Sequence, residues 1–263
     1  VRASKRIAEG DYSVLGDTED STIEIKELMQ TVNELAHILS EQQSLRKRLT
    51  QDIEHELKTP MTALQGHVEA LMDGIWQPTS DRIKSCYDEI VRINNLIGDL
   101  GTLARCEGSG FNVVKQELNV GEVIHAVATN LESSFLDKGV TLEVSNASFS
   151  VRTDRDRLTQ ILVNLLSNAL KYTPSGGRVS IAADNFPNRL EISVIDNGIG
   201  ISQEELPLVF ERFYRTDLSR NRETGGSGIG LAIVRALATA LGGSVNVKST
   251  PNIQTKFTLH ITK

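Results

Sequence analysis

The sequence predicts an α + α/β protein: an N-terminal long-helix hairpin forming a dimeric four-helix bundle, followed by a two-layer α/β sandwich. Three observations predict it. Apolar residues recur at three- and four-residue steps along both helical stretches as far as residue 104. A Glu-Gly-Ser-Gly stretch at 107–110 then breaks the pattern as a linker. Beyond it, short strand patterns alternate with three helical ones, which suits helices laid on one face of a sheet.

Taken in order, residues 1–48 are rich in charge and carry a turn-prone break at 10–20. After the break Ile25, Leu28, Val32, Leu35 and Leu39 mark the seam of an amphipathic helix. The rhythm continues through Leu45, Leu49, Ile53, Leu57, Met61, Leu64, Val68 and Leu71. Residues 74–80 end it with Gly74 and Pro78, and Thr79 or Ser80 is the candidate N-cap, with Asp81 in the first turn. The next helix keeps a seven-residue repeat through Ile83, Cys86, Ile90, Ile93, Ile97, Leu100 and Ala104. One such hairpin buries little apolar surface, so a homodimer is the expected assembly.

In the second part, strand patterns fall at 112–118, 141–145, 178–184, 189–196, 244–249 and 255–261, and helical patterns at 120–138, 155–171 and 228–241. The 263 residues are enough for one or two domains. Apolar residues at 39% and charged residues at 24% fit a soluble globular chain rather than a disordered one. A net charge of −6 gives no reason to expect nucleic-acid binding. Cys86 and Cys106 are isolated, which argues against a disulfide framework or zinc site and for a reducing compartment. No apolar run approaches the ~20 residues a membrane span needs. The chain begins with Val1 rather than Met, which fits a piece of something longer.

His55 lies in the first hairpin helix, within Asp52-Ile53-Glu54-His55-Glu56-Leu57-Lys58-Thr59-Pro60. At ~100° per residue it projects about 200° from Ile53, away from the apolar stripe, with Thr59 and Thr62 beside it. An exposed imidazole offers a nitrogen lone pair near neutral pH. Glu56 can accept a proton from the other ring nitrogen or orient the ring. Pro60 lacks an N–H and collides with the carbonyl of Glu56, which predicts a kink within a turn of His55. Position alone, however, reads more simply as a surface histidine, the reading given to His37, His67 and His125.

Four segments of the second part carry a different chemistry. Asn164 and Asn168 sit four apart in a helix, so both carboxamides leave one face, with Leu165, Leu166 and Ala169 on the packed side. Carboxamide oxygens can complete a Mg²⁺ shell supplied mainly by phosphates and water. Asp196-Asn197-Gly198-Ile199-Gly200 follows a strand, where a carboxylate can accept from an exocyclic amine and glycines let the backbone approach a flat ring. Phe210-Glu211-Arg212-Phe213-Tyr214-Arg215 follows a capping box at Ser202 and Glu205. Gly225-Gly226-Ser227-Gly228-Ile229-Gly230 opens the last helix, where exposed amides favour phosphate. Residues 216–224 are polar and aperiodic and read as a mobile lid. The glycine spacing fits neither a P-loop nor a Rossmann turn.

His-Glu-Leu-Lys-Thr-Pro resembles the H-box of sensor histidine kinases of two-component systems, and the four later segments resemble the N, G1, F and G2 boxes of their catalytic domain. The resemblance covers residues 50–263 and implies a HisKA-type hairpin and a HATPase_c domain of Bergerat/GHKL fold, shared with the Hsp90, gyrase B and MutL ATPases. It divides the chain into a partial HAMP and signalling helix (1–48), a dimerisation and phosphotransfer domain (49–107), a linker (108–114) and a catalytic ATP-binding domain (115–263). It assigns His55 as phosphoacceptor and Glu56 as its acid/base partner. In such kinases the Glu56 and Thr59 positions also place water for dephosphorylating the partner regulator. Asn164 and Asn168 would hold Mg²⁺, Lys171 and Tyr172 would border ATP, and Asp196 would read the adenine amine. Gly198 and Gly200 would shape the adenine pocket, and Arg215 would reach the γ-phosphate. Gly226, Gly228 and Gly230 would hinge the ATP lid. Glu54 stands where many relatives have Ser or Asp, and Ile229 where Leu is frequent; neither removes a catalytic group.

The implied partners are a second copy of the chain and the receiver domain of a response regulator. A HAMP module normally follows a transmembrane helix, so the expected location is the cytoplasmic portion of a membrane receptor. An ATPase of the Hsp90 or MutL type would share the nucleotide site but would not need His55-Glu56 beside Thr59-Pro60. A non-enzymatic scaffold would not need an intact ATP site. A protein acting mainly as a phosphatase would keep the same residues.

Overall fold

A computed structural model describes residues 23–107, 112–215 and 228–262. The 1–22 segment with its break at 10–20, linker residues 108–111 and residues 216–227, including Gly226 and the 216–224 lid, lie outside the described residues, as do the side chains of Ile25, Leu45 and Leu49. The chain divides into two units, one ending at Glu89 and the other beginning at Ile90.

The first unit is dominated by α1 (Ile23–Met72), a 50-residue helix that runs through Pro60. Its apolar stripe is only partly covered in a single chain. Ile53, Leu57 and Leu64 are half-buried, whereas Leu28, Leu35, Met61 and Val68 are exposed. At the turn, the Trp76 amide donates to the Ala70 carbonyl at 2.8 Å. Trp76 is held between the His67 ring, at 5.2 Å between centroids, and the Arg82 guanidinium, 3.9 Å from its ring centre. His67 thus packs against the turn rather than standing as a bare surface residue. Helix α2 (Ser80–Glu107) starts with the Arg82 and Ile83 amides donating to the Thr79 carbonyl, so Thr79 occupies the cap position.

In the second unit, β1 (Gln116–Asn119), α3 (Val120–Lys138), β2 (Thr141–Val144), β3 (Ser150–Thr153) and α4 (Arg155–Tyr172) come first. They are followed by β4 (Arg178–Asn185), β5 (Arg189–Asp196), α5 (Gly230–Ala240), β6 (Gly243–Thr250) and β7 (Gln254–Thr262). The main sheet has the order β2-β4-β5-β7-β6, with β2 parallel to β4 and the other pairs antiparallel. β1 and β3 form a separate antiparallel pair. Buried and open residues alternate along β7, so one face of the sheet is covered. Helices α3, α4 and α5 supply that cover, α4 lying between the other two. The core joins Leu158, Ile161, Leu162 and Leu165 of α4 to Ile192 and Val194 of β5 and Leu259 of β7, none of them accessible to solvent.

Side-chain caps start two of the helices. Asn119 Oδ1 accepts from the Gly121 amide at 2.9 Å, and Asp154 Oδ1 accepts from Arg157 at 3.1 Å. The sequence-predicted strand 112–118 is shorter than expected, because the Val114 amide donates to the Asp154 carboxylate at 2.9 Å instead of to a ladder. Strand β3, which pairs with β1, was not predicted; at four residues it has too little alternation to stand out. The 202–205 capping box forms in part: Glu205 accepts from the Ser202 hydroxyl at 2.8 Å and amide at 3.4 Å, but residues 203–210 fold as successive turns.

Candidate functional site

A cavity of about 250 Å³ opens beside the C-terminal half of α4 in the second unit. Asn164, Asn168, Lys171 and Tyr172 reach it from α4, where their spacing puts them on one face, opposite buried Leu165, Leu166 and Ala169. Asp196 and Gly200 reach it from the end of β5 and the loop beyond. Arg215, Gly228 and Gly230 close another side. Nine residues singled out in the sequence, some by spacing and some by the resemblance, therefore meet at one cavity.

Asp196 is 4% exposed and accepts the Gly198 amide at 3.0 Å. Burial pushes its carboxyl up to about 6, and the Gly198 hydrogen bond opposes that rise without cancelling it. Gly198 shapes the wall from behind. A Cβ there would fall 2.3 Å from the Tyr172 carbonyl, so only glycine lets this loop lie against the end of α4.

Beside the cavity, Phe213 pairs with Gly228, which lines it. Both are left-handed, with φ of 59° and 69°, and the Phe213 amide donates to the Gly228 carbonyl at 3.0 Å. The preceding Glu211 is tied to α5 by Arg235, whose two guanidinium nitrogens lie 3.1 and 3.2 Å from one carboxylate oxygen.

Some positions at or behind the cavity wall escaped sequence reasoning. Thr255 lies opposite Asp196 in the sheet and is buried beside it on the cavity wall, with Phe257 two residues on. Ser249 gives its proton to the Gln254 carbonyl at 3.1 Å and so accepts from Thr255 at 2.9 Å and from the Ile201 amide at 2.9 Å. The available signal was a polar residue in the inward phase of a strand otherwise filled by Phe257, Leu259 and Ile261.

His55, Glu56 and Thr59 belong to α1 in the other unit. His55 is exposed, as its helical phase predicts, and Glu56 is half-buried. The Thr59 hydroxyl donates to the His55 carbonyl at 3.2 Å, one turn back along the helix.

Residues 45–108 match the model of the His Kinase A (phospho-acceptor) domain, and residues 153–263 match that of the histidine kinase-, DNA gyrase B- and HSP90-like ATPase. The chain belongs to the histidine-kinase family. The chain is 34% identical to the signal transduction histidine-protein kinase BaeS of Escherichia coli (strain K12), over 95% of the chain and 54% of BaeS. It is also 34% identical to the sensor histidine kinase YkoH of Bacillus subtilis (strain 168), over 96% of the chain and 56% of YkoH. The chain therefore spans about half the length of these relatives. Among solved structures, the Acinetobacter baumannii histidine kinase AdeS superposes with a TM-score of 0.69 at 27% identity, covering 79% of this chain and 97% of AdeS. ShkA, solved in complex with AMPPNP, superposes at 0.60 and 25% identity over 79% of this chain and 45% of its own. Among the described residues, no helix is long and apolar enough to cross a membrane.

Proposed function

We propose that the chain is the kinase portion of a two-component sensor that binds ATP in the α4–β5 cavity and transfers the γ-phosphoryl group to its own His55. The observation that carries this reading is the convergence of Asn164, Asn168, Lys171, Asp196 and Arg215 on one cavity, in a chain whose α1 presents an exposed histidine next to Glu56. ShkA, similar in fold, was solved with AMPPNP, which supports a nucleotide in the corresponding cavity here.

The residues assume the following roles. Asp196 accepts the adenine amine, with Gly198 and Gly200 letting the loop lie beside the ring. Lys171 and Tyr172 border the nucleotide, and Arg215 balances charge on the γ-phosphate. Gly226, Gly228 and Gly230 hinge the lid over the phosphates. Asn164 and Asn168 line the cavity with carboxamides, whose hard, uncharged oxygens suit Mg²⁺. When bound, that ion would offset phosphate charge. A His55 ring nitrogen attacks the γ-phosphorus as the bond to the β-phosphate oxygen breaks and ADP leaves, while Glu56 accepts the proton of the other ring nitrogen. The phosphoryl group then passes to an aspartate of a response regulator's receiver domain. Thr59 and Glu56, within a turn of His55, would place water for hydrolysing the phosphoaspartate of the regulator in a phosphatase mode.

Exposed Met61 and Val68 on α1, and Ile83 on α2, support assembly as a homodimer through the hairpin. We read residues 49–107 as the phosphotransfer domain, 108–114 as the linker and 115–263 as the catalytic domain. Residues 1–48 then form a partial HAMP relay in the cytoplasmic part of a membrane receptor. The reading is tested by incubating the chain with γ-labelled ATP. Acid-labile labelling of the protein is expected, and phosphate release without labelled protein would contradict it.

A further inference from the structure

The last turn of α4 carries Asn168, Lys171 and Tyr172, and its four terminal carbonyls can be accounted for one by one. Ala169 O accepts the Thr173 amide at 3.0 Å and the Thr173 hydroxyl at 2.7 Å. Tyr172 O accepts the Ile199 amide at 3.2 Å, from the loop that follows Asp196. The other two carbonyls, of Leu170 and Lys171, both accept from Lys138 Nζ, at 2.7 Å each.

Lys138 is the last residue of α3, and its backbone is fixed independently. Gly139 caps α3 in the left-handed conformation, and its carbonyl accepts the Gly176 amide at 2.7 Å. The Thr141 amide then donates to Gly177 O at 3.0 Å. The turn after α4 is thereby sewn to the end of α3, and the Lys138 side chain reaches back along α4 from that seam. An ammonium suits the place. It is a compact charge with three donors, able to serve two adjacent carbonyls at the negative end of a helix. Partial burial, and then the neighbouring Lys171, lower its pKa, while the helix carbonyls favour the charged form.

We propose that Lys138 is a positioning residue for the nucleotide site: its ammonium closes the C-terminal end of α4 and so fixes how Asn168, Lys171 and Tyr172 face the cavity. Lys138 does not line the cavity itself and touches no reacting atom. The inference rests on reading the cavity as the ATP site.

The test uses the full chain with Lys138→Met, which keeps the stem and removes the charge, and Lys138→Arg, which restores charge and donors. MgATP binding is measured by calorimetry, and initial rates of self-labelling are followed against ATP concentration. Lys138→Met should raise KM for ATP about five- to tenfold while changing the rate at saturating ATP by less than about twofold, and Lys138→Arg should recover most of the loss. Unchanged binding and KM in Lys138→Met would overturn the proposal alone. A Lys138→Met chain found unfolded by circular dichroism would also overturn it, because the lysine would then support the domain rather than the site. An unaltered chain that binds no MgATP would instead overturn the site reading, and this inference with it.

Discussion

The backbone amide of Phe213 donates to the carbonyl of Gly228 at 3.0 Å, and both residues hold left-handed conformations. The bond joins the end of the Phe210–Phe213 segment to the glycine two residues before α5. A Cβ on Gly228 would lie 2.8 Å from the Phe213 carbonyl carbon, against backbone that cannot swing aside. Gly228→Ala should therefore part the two residues and weaken MgATP binding by about tenfold or more, from strain of ~1–3 kcal/mol at the wall of the cavity. Calorimetric titration checks this, with circular dichroism showing the domain still folded. Binding within a factor of two of the unaltered chain would contradict it.

Asp196 should make nucleotide binding depend on pH. Its carboxyl is raised to about 6 by burial, and the adenine amine needs an ionised acceptor. Binding the ionised form is therefore fully available above that value and is lost as pH falls through it. At about pH 5 roughly a tenth of the sites are ionised, so the dissociation constant should be about tenfold larger than at about pH 8. Asp196→Asn should bind weakly at both values and lose the slope. A flat profile in the unaltered chain would count against an amine-reading Asp196.

Much of this was legible beforehand, and the residues show why. The helix expected at 155–171 is observed at Arg155–Tyr172, and the strand at 189–196 keeps both of its ends, because long periodic segments bounded by turn residues carry strong local signals. Asn164 and Asn168 could be placed on one side of α4 because helix periodicity alone decides it. What stayed hidden depends on pairing between distant segments. β3 exists because it meets β1, Val114 leaves the ladder because Asp154 accepts its amide, and Thr255 reaches the cavity because the sheet register sets it opposite Asp196. The exposure of Met61 and Val68 has the same origin, since an apolar seam says what a helix needs but not which surface meets it.

Asn168→Ala should separate packing from metal binding. The change removes a carboxamide from the cavity wall and leaves buried Leu165, Leu166 and Ala169 in place, so thermal stability should fall little. Self-labelling should need about 10- to 100-fold more Mg²⁺ for half its maximal rate, the scale on which disturbed metal surroundings act. A Mg²⁺ titration at fixed ATP decides it, and an unshifted midpoint would place the ion on other donors.

The claim at the centre is that exposed His55 on α1 receives the phosphoryl group. It is tested most directly by incubating the full chain and its His55→Ala variant with γ-labelled ATP, after calorimetry has shown that both bind MgATP equally. The unaltered chain should take up label that acid removes and alkali leaves, and His55→Ala should take up none. Acid-labile label persisting in His55→Ala would contradict the assignment.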